Sequence, residues 1–204
     1  MVEHIYHNIQ GWFTFPTFYL QLVKQAKDGF HFVEVGTWKG KSASFLAVEI
    51  LNSKKQIKFD CVDTWNGSEE HLNPSSNFYE PLLQTPDGLY NHFLANIKPV
   101  SHVINPIRKS SLEAAPLYSD GSLNCVFIDA SHDYENVCLD IKAWLPKVKK
   151  GGILAGHDFA YQPIKQALDD TLGLSNVVDH GEDVWVFSVN KLDEEHLDSV
   201  LSSS

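Results

Sequence analysis

Patterns typical of buried strands alternate with patterns typical of amphipathic helices along most of the chain. The run LNCVFID at 123–129 is the clearest strand pattern, and the amphipathic run ENVCLDIKAWLPKV follows it at 135–148. Strands separated by helices pair in parallel, and the connecting helices cover both faces of the sheet. The chain is therefore predicted to fold as an α/β domain. The predicted strands are 31–36, 57–63, 102–107, 123–129, 151–158, 176–180 and 183–189, and the predicted helices are 17–27, 41–53, 89–97, 135–148 and 163–173.

The length of 204 residues suits a single domain with a sizeable core. We expect this domain to cover 1–190, with a helical segment at 1–30. The tail at 191–204 would be a short surface helix or a frayed end. Residues 66–88 are rich in Asn, Ser, Pro and Gly and are too long for an ordinary connection, so they are predicted to form a lid or substrate loop.

Composition excludes several classes of function. The net charge is −10, whereas a protein that grips a phosphate backbone needs clustered Lys and Arg, so no nucleic acid partner is expected. No apolar run is long enough to span a bilayer, and the N-terminus lacks the pattern of a secretory signal, so no membrane partner is expected either. Cys61, Cys125 and Cys138 form no CxxC pair, which indicates reduced, mostly buried thiols and a cytoplasmic location.

Acidic and histidine side chains follow several of the predicted strands. In an open parallel sheet, ligands bind outside the carboxyl ends of the strands, at the point where the strand order switches. The residues at these ends are Glu34, Gly36, Gly40, Asp63, Asp129, His132, His157 and Asp158. A single acid at such a position often caps the next helix. Their recurrence at one edge, together with a glycine turn, favours a ligand site.

The turn after the first strand has the pattern E-x-G-x-x-x-G, from Glu34 through Gly36 to Gly40. Dinucleotide enzymes use G-x-G-x-x-G, whose central glycine lets the backbone approach a pyrophosphate. Trp38 stands at that position, which counts against a dinucleotide. The turn suits a cofactor without phosphates, with a cationic amine near Glu34 and a carboxylate near the next helix start. Asp63 could accept two hydrogen bonds from a ribose diol; alternatively, it caps the turn before TWNGS.

The motifs VEVGTWKGKSA, CVDTW and FIDASHDYENVCLDIKAWLPKVKKGGILAGHD resemble those of the class I S-adenosylmethionine-dependent methyltransferases. The resemblance runs from about Trp12 to Val189 and is closest to the small O-methyltransferase-like group, which includes macrolide-sugar O-methyltransferases and cephalosporin hydroxylase-like proteins. The catechol O-methyltransferases are similar at the same motifs. The resemblance implies a Rossmann-like seven-stranded sheet, mostly parallel, with helices on both faces and an antiparallel last strand. It also implies methylation of an oxygen on a small polar metabolite, such as a sugar hydroxyl.

The same resemblance assigns cofactor-binding residues. Motif I would supply Glu34, Gly36 and Gly40, with Trp38 against the methionine end of the cofactor, Ser42 at the methionine carboxylate, Asp63 at the ribose, and Ser110 or Ser111 at the adenine edge. The serine pair has an alternative interpretation as a helix N-cap, because Glu113 stands near the capping-box position.

In the metal-dependent branch, an Asp ends the fourth strand and an acidic or amide pair ends the fifth. This implies Asp129, His157 and Asp158 as metal ligands. Mg²⁺ prefers oxygen ligands, so a site with a histidine would also suit Mn²⁺, Fe²⁺ or Zn²⁺. The alternative is that His157 only hydrogen-bonds locally and that no metal is needed.

His132 lies three residues after Asp129, at the position of the family's general base. A neutral hydroxyl is a poor nucleophile and must lose its proton as it attacks the sulfonium methyl group. An imidazole with a near-neutral pKa can take that proton. The alternative is a loop histidine hydrogen-bonded to Asp133 or Asp129.

Two other functions stay open at this point. One is an NAD(P)-dependent oxidoreductase on a dinucleotide-binding fold. The other is a hydroxylase-like relative that binds the cofactor without methylating. The expected partner is a small-molecule acceptor, and the sequence leaves homo-oligomerisation open.

Overall fold

The computed structural model describes residues 1–189, so the predicted tail at 191–204 lies outside the described residues. The described strands are β1 (His31–Val35), β2 (Lys58–Asp63), β3 (Ile104–Arg108), β4 (Leu123–Ile128), β5 (Val148–Gly156), β6 (Val177–Gly181) and β7 (Val184–Ser188). They form one sheet in the order β3-β2-β1-β4-β5-β7-β6. Strands β1 to β5 pair in parallel, and β7 runs antiparallel to both β5 and β6. The predicted Rossmann-like sheet with an antiparallel last strand is confirmed.

Helices cover both faces of the sheet because alternate strand residues point to opposite sides. The helices are α1 (Pro16–Gln25), α2 (Lys41–Ser53), α3 (Glu69–Leu72), α4 (Gly88–Ile97), α5 (Ser111–Ala114), α6 (Tyr134–Trp144) and α7 (Gln162–Leu172). In β1, Phe32 packs with the core under α1, α2 and α4, whereas Val33 packs with the core under α5, α6 and α7. No described helix combines the length and the apolar character that a bilayer crossing requires.

Local sequence explains most helix boundaries. Helix α2 begins after Gly40, whose φ of +85° favours glycine, and it covers the predicted 41–53. Helix α6 begins where the Asp133 carboxylate accepts from the Asn136 backbone N–H. It ends at Trp144, four residues before the predicted end, because Pro146 cannot supply a helical N–H and a short 3₁₀ turn follows.

The predicted long loop at 66–88 is not irregular throughout. It contains α3 and a 3₁₀ turn at Pro81–Gln84, and it joins α4 at Gly88. The Glu80 N–H donates to the His71 carbonyl across the loop. The segment is therefore a compact layer beside the carboxyl edge of the sheet.

The strand order reverses between β1 and β4, which places the ends of these strands side by side. The Asp129 N–H donates to the Val35 carbonyl, so the residue after β4 lies against the last residue of β1. Strand β5 ends at Gly156, two residues before its predicted end, and His157 and Asp158 follow it on the same edge. This edge carries the candidate site.

Candidate functional site

The glycine turn after β1 is fixed by close backbone contacts. Gly36 has a φ of +87°, and a Cβ built there would lie 2.0 Å from the Asp129 carbonyl oxygen. Gly36 is therefore required so that β1 and β4 can approach each other, and a side chain at this position would strike Asp129 before it reached a ligand. Trp38 also has a positive φ, of +49°, which is uncommon for a bulky residue.

Asp63 holds this turn from the end of β2. Its carboxylate accepts hydrogen bonds from the backbone N–H groups of Thr37, Trp38 and Trp65 at 2.7–2.9 Å. Burial raises the pKa of Asp63, and these backbone donors oppose that rise. The structure therefore matches the turn-capping alternative, while the ribose contact stays a prediction.

Glu34 lies in β1 beneath the turn and is fully buried. The Ser42 hydroxyl donates to its Oε1, while Oε2 has no partner among the described residues. Burial raises the pKa of Glu34 to about 8, and the nearby negative charge of Asp129 adds to the rise. The Tyr19 hydroxyl lowers this pKa by its proximity, although it does not meet the geometry of a hydrogen bond. A positive amine on a nearby cofactor would favour the ionised form of this carboxyl.

Because no part of Glu34 is exposed, it can influence such an amine only by its charge or through Ser42. The hydroxyl of Ser42 itself is occupied by Glu34 in this structure. Its predicted contact with a methionine carboxylate therefore has to come from the backbone N–H or from a rotated hydroxyl.

Four predicted side chains meet where β4 and β5 end: Asp129, His132, His157 and Asp158. His132 Nε2 lies 2.9 Å from Asp158 Oδ2, and this pair is partly open to solvent. His157 Nδ1 lies 3.3 Å from Asp158 Oδ1 and 3.9 Å from Asp129 Oδ1. The His157 Nε2 is hydrogen-bonded to the Thr14 hydroxyl at 2.8 Å. The N-terminal segment thus reaches the site through Thr14.

The charges of this group act on one another. Burial raises the pKa of Asp129 to about 6, against the lowering effect of His157. Burial raises the pKa of Asp158, but the hydrogen bonds and charges of His132 and His157 together outweigh burial and hold this pKa below its usual range. The hydrogen bond to Asp158 raises the pKa of His132. The arrangement is a histidine–aspartate pair beside a carboxyl group that gains and loses its proton near neutral pH.

Two combinations of potential metal ligands occur among the described residues, each with ligand atoms within 4.8 Å of one another. One is Asp129, His132 and Asp158, and the other is His157, Asp158 and Asp183. The predicted combination of Asp129, His157 and Asp158 is thus divided between two groups. His132, predicted only as a base, is a potential ligand beside Asp129. His157 Nδ1 also faces Asp129 and Asp158, so the predicted ligand combination stays a prediction.

A family model described as "Methyltransferase domain" matches residues 33–159, which is more than half of the chain. The match covers the glycine turn, Asp63 and the group at the ends of β4 and β5. The chain belongs to the methyltransferase domain family. It is a class I S-adenosylmethionine-dependent methyltransferase domain, as the motif resemblance implied.

Solved structures share the fold of this methyltransferase. The O-methyltransferase NovP has a TM-score of 0.63 and 16% identity, with 85% of this chain and 78% of NovP covered. The O-methyltransferase TomG from Streptomyces achromogenes, which is involved in tomaymycin synthesis and was solved with S-adenosylmethionine, has a TM-score of 0.60 and 11% identity, with 91% and 89% covered. At these identities, the likeness shows the fold alone.

A curated relative from Sinorhizobium fredii, the uncharacterized protein y4gI, is 23% identical over 184 residues. The aligned region covers 90% of this chain but only 17% of the relative. The methyltransferase domain described here therefore corresponds to a small part of that longer protein.

The serine pair expected at the adenine edge is engaged within the methyltransferase itself. Ser110 is the N-cap of α5, where it forms a capping box with Glu113. The Ser111 hydroxyl accepts a hydrogen bond from Trp144 Nε1 at 2.8 Å. The geometry matches the N-cap alternative for Ser110, and the adenine contact of either serine stays a prediction.

The sequence analysis missed a buried clasp next to the turn. Lys39, which is only 2% exposed, lies 2.5 Å from Glu80 Oε2 and donates to Gln10 Oε1 at 2.5 Å. A buried lysine needs such partners because an unpaired buried charge is costly. Lys39 thus ties the N-terminal segment and the loop at 66–88 to the glycine turn at 36–40, which we call the cofactor turn. The only sequence signal was a lysine inside a glycine turn, and its partners lie far away along the chain.

Proposed function

We propose that this methyltransferase domain transfers the methyl group of S-adenosylmethionine to an oxygen of a small polar acceptor, such as a sugar hydroxyl. The single observation that carries the proposal is the His132–Asp158 pair, 2.9 Å apart, beside Asp129 at the edge where the glycine turn lies. TomG, which was solved with S-adenosylmethionine, and the O-methyltransferase NovP share the fold and support the assignment.

The pair suits removal of a hydroxyl proton. Because His132 Nε2 faces Asp158, its Nδ1 is the nitrogen left to accept the proton of the acceptor. As the acceptor oxygen forms its bond to the methyl carbon, the bond from that carbon to the sulfonium sulfur breaks and leaves a neutral thioether. The hydroxyl proton passes to His132, and Asp158 stabilises the imidazolium that results. Placing the two reactants in line supplies much of the remaining acceleration.

Asp129, His132 and Asp158 would also fit a divalent cation. Two carboxylates and one imidazole suit Mn²⁺ at least as well as Mg²⁺. Such an ion would lower the pKa of an acceptor hydroxyl bound to it. In a metal-loaded site, His132 Nε2 would be a ligand. Asp158 would then no longer hold His132 in place as a base, so metal binding and base catalysis are alternative uses of the same side chain.

Family membership and the fold weigh against the NAD(P)-dependent alternative, and so does Trp38, which occupies the position where a dinucleotide fold needs glycine. The other alternative is a hydroxylase-like relative that binds S-adenosylmethionine without methylating. Only a measurement of methyl transfer distinguishes it from the proposed function.

The test starts with calorimetry of the purified chain with S-adenosylmethionine and, separately, with NADH. Formation of S-adenosylhomocysteine is then measured with a panel of sugars, polyols and phenols, with chelator and with added Mn²⁺ or Mg²⁺. We expect binding of S-adenosylmethionine but not NADH, and product formation with at least one hydroxyl acceptor. Binding of NADH alone, or of neither ligand, would contradict the proposal. Loss of turnover with chelator and recovery with Mn²⁺ would assign the metal.

A further inference from the structure

Two large aromatic side chains are exposed together beside the candidate site. Trp12 is 63% exposed and Phe78 is 47% exposed, and their ring centroids are 5.9 Å apart. The other four of the chain's five tryptophans are buried or half-buried. Leaving such rings in water gives up the free energy that their burial would provide. An exposed pair of this kind therefore indicates a surface that binds something.

The two rings come from segments far apart in sequence, and the Lys39 clasp fixes their separation. Gln10 and Glu80 both contact the Lys39 ammonium at 2.5 Å, and each lies two residues from one of the rings. Lys39 and Glu80 are both buried, so this ion pair is protected from solvent screening. The rings of Trp12 and Phe78 are thus presented by anchored backbone.

The pair also lies next to the reacting groups. Gly11 packs against the Trp38 ring of the cofactor turn, and the Thr14 hydroxyl is bonded to His157. Trp12 lies between these two contacts, and consecutive Cα atoms are only about 3.8 Å apart. On the other segment, the ring of His71, seven residues before Phe78, lies tilted against the Trp38 ring with centroids 4.4 Å apart. Both rings therefore border the space in front of the cofactor turn and the His132–Asp158 pair.

We infer that Trp12 and Phe78 form the acceptor-recognition surface of this methyltransferase, and that the acceptor carries its hydroxyl on a ring with an apolar face. A ring can cover exposed aromatic faces with good contact and little loss of conformational entropy, whereas an acyclic polyol cannot. The inference rests on the proposed function, because it takes the His132–Asp158 pair as the place where the hydroxyl reacts. It names Trp12 and Phe78 as specificity-determining residues, and Lys39 as the residue that positions them.

The test measures binding apart from turnover. Methyl glucoside and p-nitrophenyl glucoside serve as ring-bearing probes and glycerol as the acyclic probe, each titrated by calorimetry into the chain with S-adenosylhomocysteine present. The variants are Trp12→Ala, Phe78→Ala and Trp12→Phe. Leu139→Ala is the matched control, because Leu139 is 46% exposed on α6, which covers the other face of the sheet. Circular dichroism verifies that each variant is folded.

We expect at least one ring-bearing probe to bind more tightly than glycerol. Trp12→Ala and Phe78→Ala should each weaken that binding on the order of tenfold, the equivalent of one lost aromatic contact. Trp12→Phe should restore most of the affinity, and Leu139→Ala should change nothing. In the wild-type chain, methyl glucoside should also change the fluorescence of exposed Trp12, and Trp12→Phe should remove that response.

Failure of both ring-bearing probes to bind, or equal binding by wild type, Trp12→Ala and Phe78→Ala, would overturn the inference. Equal loss in Leu139→Ala would overturn it as well, since the effect would then be general. Ring-dependent binding without any methyl transfer would leave the recognition surface standing and would instead contradict the proposed function.

Discussion

Two histidine–aspartate pairs of nearly equal length lie at opposite edges of the sheet. His31 Nε2 is 2.8 Å from Asp60 Oδ2 at the amino ends of β1 and β2, and His132 Nε2 is 2.9 Å from Asp158 Oδ2 beyond the carboxyl ends of β4 and β5. The Asp60 carboxylate also accepts from Asn105 Nδ2 and from the Tyr118 hydroxyl. All three of these hydrogen-bond partners belong to the fold itself.

The second pair is arranged differently. His132 is 49% exposed, against 22% for His31, and its partner Asp158 faces a second histidine and lies near Asp129. The first pair is the more enclosed one, and its carboxylate accepts three hydrogen bonds from the fold, while the second pair is open and next to groups whose charge can change. The distance between histidine and aspartate therefore does not identify the role of such a pair. The role depends on whether the other polar atoms of the two side chains already have partners within the fold.

The largest stability effect should follow from breaking the enclosed pair. Asp60→Ala leaves His31, Asn105 and buried Tyr118 without their acceptor, so we expect the free energy of unfolding to fall by about 3 kcal/mol. Asp158→Ala, at the open pair, should cost less than about 1 kcal/mol, because water can replace the lost partner. Urea unfolding followed by circular dichroism measures both, and equal losses would contradict the comparison.

The enclosed pair also predicts a pH dependence. Burial raises the pKa of Asp60, but the hydrogen bonds from His31, Asn105 and Tyr118 outweigh it, so the folded pKa lies below the unfolded one. The stabilisation from Asp60 is then complete above the unfolded pKa of about 4, and it is lost as the pH falls through the folded pKa. The stability gap between wild type and Asp60→Asn should shrink below about pH 4. A difference in stability between wild type and Asp60→Asn that grows at acidic pH would contradict this prediction.

A smaller effect is expected at the cofactor turn. Asp63→Ala removes the acceptor of three backbone N–H groups, so it should weaken S-adenosylmethionine binding roughly tenfold or more by loosening the turn. Asp63→Asn keeps one carbonyl oxygen as an acceptor, so its affinity for S-adenosylmethionine should lie between those of wild type and Asp63→Ala. Calorimetry gives the affinities. If Asp63→Ala bound the cofactor as tightly as wild type, the turn would not depend on this clamp.

The smallest expected effect is the release of a fraction of a proton from Glu34 when the cofactor binds. The pKa of Glu34 is raised to about 8 by burial, so this carboxyl is mostly protonated at pH 7. A bound cationic amine would lower that pKa, and binding should therefore release protons. Calorimetry in buffers of different ionisation enthalpy detects the release, and Glu34→Gln should reduce it. The same buffer dependence in wild type and Glu34→Gln would assign the proton to another group.

The sequence predicted what local pattern determines. Helix α2 and strand β4 follow from apolar spacing, and the parallel strand order brings the strand-end acids together as expected. The sequence could not show which polar groups would already be engaged in hydrogen bonds within the fold. Thr14, 143 residues away in sequence, is hydrogen-bonded to His157 Nε2, and no local pattern indicates that contact. The Lys39 clasp depends in the same way on how the N-terminal segment docks.

The central claim is that the open pair serves chemistry and the enclosed pair serves the fold. The most direct measurement compares turnover of folded His132→Ala and His31→Ala, as S-adenosylhomocysteine formed from a saturating acceptor. We predict that His132→Ala loses about 10²–10⁴-fold in turnover with nearly unchanged cofactor affinity, as expected for a positioned base. His31→Ala should stay within about threefold of wild type per folded molecule, because it lies at the opposite edge. Near wild-type turnover in His132→Ala, or an equal loss in both variants, would contradict the account.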